Sequence, residues 1–448
     1  MTDRLETLTT ALLAAARRAG AGAADAIAVE SRSVGIDIRK AALEQAERSE
    51  AVEIGLRVLV GQRQACVSAS DISARTIDEM AARAVAMARE APEDDSIGLA
   101  DPAQLSAVRD GAALELCDPA DEPDPAALAE DARRAEAAAL AVAGVSLCQS
   151  ASASHGRSRV HIAATNGFSG GYARSSSSVS AVAISGEGLT MERDWAAEAR
   201  VWRAELPAPE TVGQLAGDRA AARRGARKPP TGAFPVLYDE RVAAGLIGHL
   251  LAAINGTAIS RGASWLGDAL GAAVLPAGLS ILEDPHRRRI SGSRPFDAEG
   301  LATAPRAIVE RGILTGWTLD LGTGRRLGMA STASATRGTG SPPSPSVGNI
   351  ALTQGTASRD QLLAEMGNGL LITALMGASI NPTTGDYSRG AAGFWVENGQ
   401  IAWPVNECTI AGNLRAMLMR ITPANDARAH LGHVVPSLLV EGLTVAGG

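Results

Sequence analysis

The sequence predicts an α+β fold in two domains: an N-terminal α+β domain with a sheet and amphipathic helices over residues 1–228, and a C-terminal β-rich domain over 233–448. Three observations lead there. At 448 residues the chain is too long for one ordinary hydrophobic core. Segments of helical period are interspersed with strand-like runs up to about residue 224, whereas short alternating runs rich in glycine dominate beyond Ala277. Between them lies Arg227-Lys228-Pro229-Pro230-Thr231-Gly232, a proline-rich break that makes the best domain boundary.

The elements follow in order. Leu5, Leu8 and Leu12 recur at helical spacing, Arg17 and Arg18 suit a last turn, and Gly20 ends it. Strand-like runs follow at Ala26–Glu30, Gly35–Arg39, Val52–Val60 and Gln64–Ala69, the last two joined by a Gly61-Gln62 turn. Ile77, Met80, Ala84, Met87 and Ala88 mark a second amphipathic helix with Ser73 as its N-cap. Acidic residues 91–95 and the loop Asp118–Pro125 precede an alanine-rich helix over 126–143. Strands are predicted at Val145–Ser154, Arg159–Ala164 and Ser177–Ile184, with Asn166-Gly167 as a hairpin turn, then a helix at 210–224. The second half opens with a strand at Pro235–Tyr238 and an apolar helix at Glu240–Ile254, and carries a later helix over Ser358–Met366. No period of solenoid length recurs.

Composition narrows the function. Hydrophobic residues make up 46% and charged residues 20%, a globular balance. A net charge of -7 offers no general attraction to nucleic acid or an anionic membrane. Cys66, Cys117, Cys148 and Cys408 form no CxxC pair, which fits a reducing compartment. Acidic Asp3 and Glu6 make the start of the chain unlike a signal peptide, and no apolar run reaches spanning length, so a cytoplasmic protein is expected.

Few residues carry a chemical signal. His249 sits in the apolar helix, but Leu250 follows it and Ile254 stands five residues on, so a packed, hydrogen-bonded histidine is the expectation. His430 and His433, in HLGH, have the spacing of two metal ligands on a helix, yet Gly432 and Pro436 favour a loop. No GxSxG elbow exists, and Ser175–Ser178 reads as a polar strand face. Arg287, Arg288 and Arg289 after His286 form a positive cluster suited to a solvated or interdomain surface. Asn381–Asn413 holds a glycine-rich entry and an Asn398-Gly399 hairpin turn. There Gly390 and Gly393 permit close backbone approach, and Phe394 and Trp395 supply large apolar area. These four are the candidate peptide or partner contacts, with one aromatic expected in the core and the other exposed.

Five stretches together resemble the TldD/PmbA family, whose members are also known as modulators of DNA gyrase. They are GLRVLVGQRQACVSASD (Gly55–Asp71), PFDAEG (Pro295–Gly300), ERGILTGWTLDLGTGRRLG (Glu310–Gly328), NPTTGDYSRGAAGFWVENGQI (Asn381–Ile401) and PSLLVEGLTVAG (Pro436–Gly447). The resemblance implies a two-domain fold and a heteromeric metallopeptidase with an internal cleft that cleaves unfolded peptides. It further implies that TldD-type chains hold zinc through HExxxH and a later cysteine, whereas PmbA-type (TldE) chains lack those ligands. Here the helix around His249 takes the place of the zinc helix; Leu250 would replace the glutamate and Ile254 the second histidine. No cysteine follows Cys408. The expected reading is a PmbA-type subunit without metal, cofactor or catalytic residues of its own. It would be inactive alone and would shape the chamber of a zinc-bearing TldD-type partner, with a homodimer allowed in isolation. Two alternatives compete: an autonomous hydrolase with an unrecognised site, such as His430 and His433 with a carboxylate, and a binding protein modulating DNA gyrase.

Overall fold

An antiparallel six-stranded sheet, in the order β3-β2-β1-β4-β5-β6, organises the first half of the chain. In the computed structural model, which describes residues 3–447, its strands are β1 (Ala23–Arg39), β2 (Ala42–Val60), β3 (Arg63–Ala69), β4 (Val145–Ala164), β5 (Ser169–Ser185) and β6 (Glu192–Arg200). Met1, Thr2 and Gly448, at the ends of the two expected domains, lie outside the described residues. The Gly61-Gln62 and Asn166-Gly167 turns fall where the sequence places them, with Gly61 and Gly167 at φ 59° and 96°.

Two expected pairs of short strands fuse into single long ones, β1 and β4. The polar residues that read as breaks pair with one another: Ser31 faces Ser158, Arg32 faces Arg157 and Ser33 faces Gly156. Likewise β2 starts ten residues before the expected Val52, through a wholly exposed stretch from Ala42 to Ala51. Backbone pairing across the ladder holds these segments, and a face left to solvent demands no apolar side chains.

Helices α1 (Arg4–Ala19), α2 (Ala74–Glu90), α3 (Pro125–Ala141) and α4 (Pro209–Ala222) cover one face of this sheet. Ala24, Ala26 and Ala28 of β1 lie under α1 and α2, and Val34, Ile36 and Ile38 lie under α3 and α4. All six are even-numbered, so period-two alternation sends them to one side. Ser73 caps α2 as expected, but Met87 is exposed; Ala81 and Val85 complete the buried stripe instead. Between α3 and α4, a Cβ at Gly213 would stand 2.0 Å from the Ala135 carbonyl oxygen, so the alanine-rich helices meet at a distance only glycine allows.

The second half is built on a mixed sheet, β16-β15-β14-β7-β19-β17, beside a smaller sheet β10-β9-β8-β13-β18 and the ribbon β11-β12. These strands are β7 (Gly232–Tyr238), β8 (Ile281–Glu283), β9 (Arg306–Glu310), β10 (Ile313–Leu314), β11 (Ala335–Thr336), β12 (Ser344–Pro345), β13 (Ile350–Leu352), β14 (Gly369–Ile380), β15 (Asp386–Glu397), β16 (Gln400–Asn413), β17 (Ile421–Pro423), β18 (His433–Val434) and β19 (Leu438–Ala446). Helices α5 (Glu240–Ala253), α6 (Gly256–Ser260), α7 (Leu321–Leu327), α8 (Arg359–Met366) and α9 (Leu414–Leu418) pack around them. Strand β14 separates two cores: Leu370 and Ile372 belong to the large one with α5, Leu371 to a smaller one with α8. The halves meet where Phe296 joins Ile27, Ile162 and Phe168 on the sheet face opposite α1–α4.

Candidate functional site

Helix α5 starts at Asp239, whose carboxylate accepts the Arg241 N–H, and buries Leu246, Ile247, Leu250 and Leu251 in the large core. His249 lies on its half-buried flank, ring edge towards Tyr387, with centroids 5.8 Å apart. Its Nε2 is buried and without a hydrogen-bond partner, which corrects the expectation of a bonded core histidine. Burial, then the nearby Arg389 charge, holds the imidazole below its usual range and so neutral. Leu250, at the position of the motif's glutamate, and Ile254, at that of its second histidine, are both fully buried.

Cys408, on β16, offers no substitute ligand. Its Sγ donates to the Ala391 carbonyl at 3.1 Å, and burial pushes the thiol up to about 11. Zinc needs at least three protein donors, and a cysteine serves as one only when deprotonated. One orphan imidazole with leucine, isoleucine and a protonated thiol does not fit zinc. Among the described residues, no group of three His, Cys, Asp or Glu is placed to hold a metal. His430 lies in a turn with Nε2 3.3 Å from Glu198 Oε2, while His433 sits in β18 beside Ile350. The two do not share a helix face.

The Asn398-Gly399 turn forms as expected, with φ 51° and 77°, between β15 and β16. Phe394 and Trp395 do point to opposite faces, but neither is free. Trp395 is 4% exposed, edge-on to Phe234 at 4.9 Å and stacked near Trp403 at 6.0 Å. Phe394 is half-buried against the core formed with Leu362, Leu363 and Met366 of α8, which corrects the expectation of an exposed aromatic. Gly393 is required by the sheet itself: a Cβ there would lie 1.9 Å from the Leu371 oxygen. Gly390 pairs with Met376 on one side and Thr409 on the other. Both glycines therefore sit inside the sheet, away from any free edge.

Within the Arg287–Arg289 cluster, Arg287 bonds inside the second half of the chain, whereas Arg288 and Arg289 reach into the first. Arg287 donates to the carbonyls of Ala429 and Leu431. Arg288 and Arg289 both reach Glu115, and Arg289 also meets Glu205 and lies over Trp202, 3.6 Å from its ring centroid.

Where the halves meet, a cleft of about 460 Å³ opens between β1, β4, β5 and the loops around Arg294, Arg337, Asn349 and Gly432. Behind it, Asp25 is shared by two buried arginines, Arg57 and Arg337. The Asp297 carboxylate accepts N–H bonds from Glu299, Leu301 and Ala335, which fastens the Pro295–Gly300 loop. Burial raises Asp297 to about 6 despite those bonds. Glu299 rises to about 8, through burial first and the Asp297 charge second, so it is protonated near neutrality. Sequence reading quoted this loop as a matching stretch but gave its carboxylates no role. It passed over Arg174 and Arg294 altogether, because nothing local distinguishes an arginine beside a serine run from a solvated one.

Family models for the PmbA/TldA metallopeptidase match the chain in three parts: domain 1 over residues 24–88, the central domain over 118–224 and the C-terminal domain over 231–447. The metalloprotease PmbA of Escherichia coli O157:H7 is 36% identical over 93% of this chain and 91% of its own length. The chain belongs to the PmbA/TldD family, as a PmbA-type member. Its fold is that of a Bacteroides thetaiotaomicron protein described as a modulator of DNA gyrase, with TM-score 0.92, 24% identity and full coverage of both chains. TldE from Thermococcus kodakarensis superposes with TM-score 0.85 at 17% identity, over 98% of this chain and all of the other. No helix among the described residues is long and apolar enough to cross a membrane.

Proposed function

We propose that this chain is the non-catalytic subunit of a PmbA/TldD-family metallopeptidase that cleaves unfolded peptides, acting with a zinc-bearing TldD-type chain. The observation that carries the reading is α5: one unpartnered imidazole, His249, flanked by the buried side chains of Leu250 and Ile254. A helix so filled cannot hold zinc or activate its water. The likeness to TldE supports pairing with a TldD-type chain. The division at 228–233 into two domains belongs to the same proposal, as does a cytoplasmic location.

In this role the chain binds and orients rather than reacts. Its halves, joined through Arg289–Glu115 and Arg428–Glu198, would present a wall to the partner's chamber. The test is reconstitution. Purified alone, the chain should carry no stoichiometric zinc by elemental analysis and cleave no unfolded peptide; mixed with a TldD-type chain, it should co-purify and peptide cleavage should appear. One tightly held zinc per chain, or robust cleavage by the chain alone, would overturn the proposal.

A further inference from the structure

The cleft between the halves carries more cationic charge than the carboxylates around it fully compensate. Four charged side chains belong to residues lining it: Arg174, Arg294, Arg337 and Asp297. Arg337 shares Asp25 with Arg57, and Asp297, which accepts three backbone N–H bonds, keeps a charge that is felt at Arg294 but makes no direct ion pair with it. Arg174, on β5, reaches across the cleft to the carbonyls of Ser291 and Ser293 and rests 4.9 Å from the Tyr172 ring centroid, with no carboxylate partner among the described residues. Carbonyls accept its protons but cancel none of its charge.

Arg294 is similar and more deeply set. It is 7% exposed; its Nη2 donates to the Ser346 carbonyl at 3.1 Å and its Nε is buried without a partner. Its nearest carboxylate, Glu283, is 3.6 Å away and already taken by Arg306 at 2.7 Å and by the Gly348 N–H. Beside it the fully buried Asn349 donates to Ser293 Oγ at 2.6 Å while its Oδ1 stays unpartnered. Three loops converge there, helped by Gly292, where a Cβ would stand 2.3 Å from that Oδ1. Opposite these polar groups the wall is apolar, formed by Ile27, Val160, Ile162 and Phe296.

A buried guanidinium that must share its carboxylate with a second arginine is under-compensated, and a bidentate carboxylate is the group that fits it best. We propose that this cleft binds a carboxylate ligand with an apolar body, its anion against Arg174 and Arg294 and its body against Ile27, Ile162 and Phe296. The volume of about 460 Å³ suits a ligand of dipeptide size, and the C-terminal end of a short peptide has this chemistry. That last identification rests on the peptidase-family reading; the anion site itself rests on the arginines.

Calorimetric titration of the full chain tests both parts, with N-acetyl-leucyl-leucine as the free acid, the same compound as its C-terminal amide, and inorganic phosphate. The acid is expected to bind one per chain and to weaken as salt rises. The amide should bind at least about tenfold more weakly, the discrimination expected when a buried charged donor loses its partner. Arg174→Met, half-exposed and expected to fold, should weaken the acid by a similar factor at unchanged melting temperature, and Arg294→Lys should do so in part. Equal binding of acid and amide, or an unchanged affinity in Arg174→Met, overturns the site. Phosphate binding tighter than the peptide acid overturns the ligand class. None of these readouts uses peptide hydrolysis, so failure here leaves the subunit reading to its own reconstitution test.

Discussion

Replacing Trp395 and Phe394 by alanine, one at a time, separates the two faces of β15. Trp395 is 4% exposed, and its removal also breaks the edge contact with Phe234 at 4.9 Å and the stack with Trp403 at 6.0 Å. Deleting a buried aromatic costs about 3–5 kcal/mol, and the lost aromatic pairs put Trp395→Ala in the upper half of that range. Phe394 is half-buried against Leu362, Leu363 and Met366, so its removal forfeits only part of the about 1.5–3 kcal/mol that full burial of such a side chain is worth. At about 2–4 °C per kcal/mol for a domain of 150–250 residues, Trp395→Ala lowers the melting temperature by roughly 8–20 °C and Phe394→Ala by clearly less. Thermal unfolding followed by circular dichroism reads the difference, and co-purification with a TldD-type chain reads the interface. Both variants that remain folded should still co-purify. The packing argument is refuted if Phe394→Ala destabilises as much as Trp395→Ala. It is equally refuted if Phe394→Ala leaves melting unchanged yet abolishes co-purification, since that aromatic would then be a contact surface.

Asp25→Ala strands Arg57 and Arg337 in the interior and should cost about 3–5 kcal/mol; a loss under about 1 kcal/mol in urea unfolding would mean that water reaches the pair. His249→Leu removes a buried, unpartnered Nε2, whose isolation costs about 1–3 kcal/mol, so the melting temperature should hold or rise and partner-dependent peptide cleavage should persist. Lost cleavage at an unchanged melting temperature would make His249 functional. Glu299 and Asp297 are held up to about 8 and 6, above their ordinary values of 4.5 and 3.8. Their contribution to stability is therefore complete below the unfolded values and fades as pH rises through the folded ones. Glu299→Gln cannot ionise, so between about pH 6 and pH 9 it should lose less melting temperature than wild type; parallel curves would contradict the buried-acid assignment.

Sequence alone determined the elements whose signal is local. Leu5, Leu8 and Leu12 at helical spacing, Ser73 as a cap, and the Asn398-Gly399 turn all depend on residues within one or two turns of chain. The five matching stretches identified the family in the same way, and the residues after His249 already excluded the zinc pattern.

Tertiary structure decided whatever depends on the other side of a contact. The exposed polar run Ala42–Ala51 is a strand only because Ser31–Arg39 lies beside it, and no periodicity in the run reveals that partner. Phe394 alternates with Trp395 in sequence, but only the position of α8 decides that its face is covered too. In sequence Gly393 is open to a peptide; in the sheet a Cβ there would lie 1.9 Å from the Leu371 carbonyl oxygen. The charged cleft was the least legible feature of all. Arg174 and Arg294 stand 120 residues apart, and an arginine's need for a counter-charge depends on which acids the fold places beside it and which it has already paired. Such long-range electrostatics has no trace in local spacing.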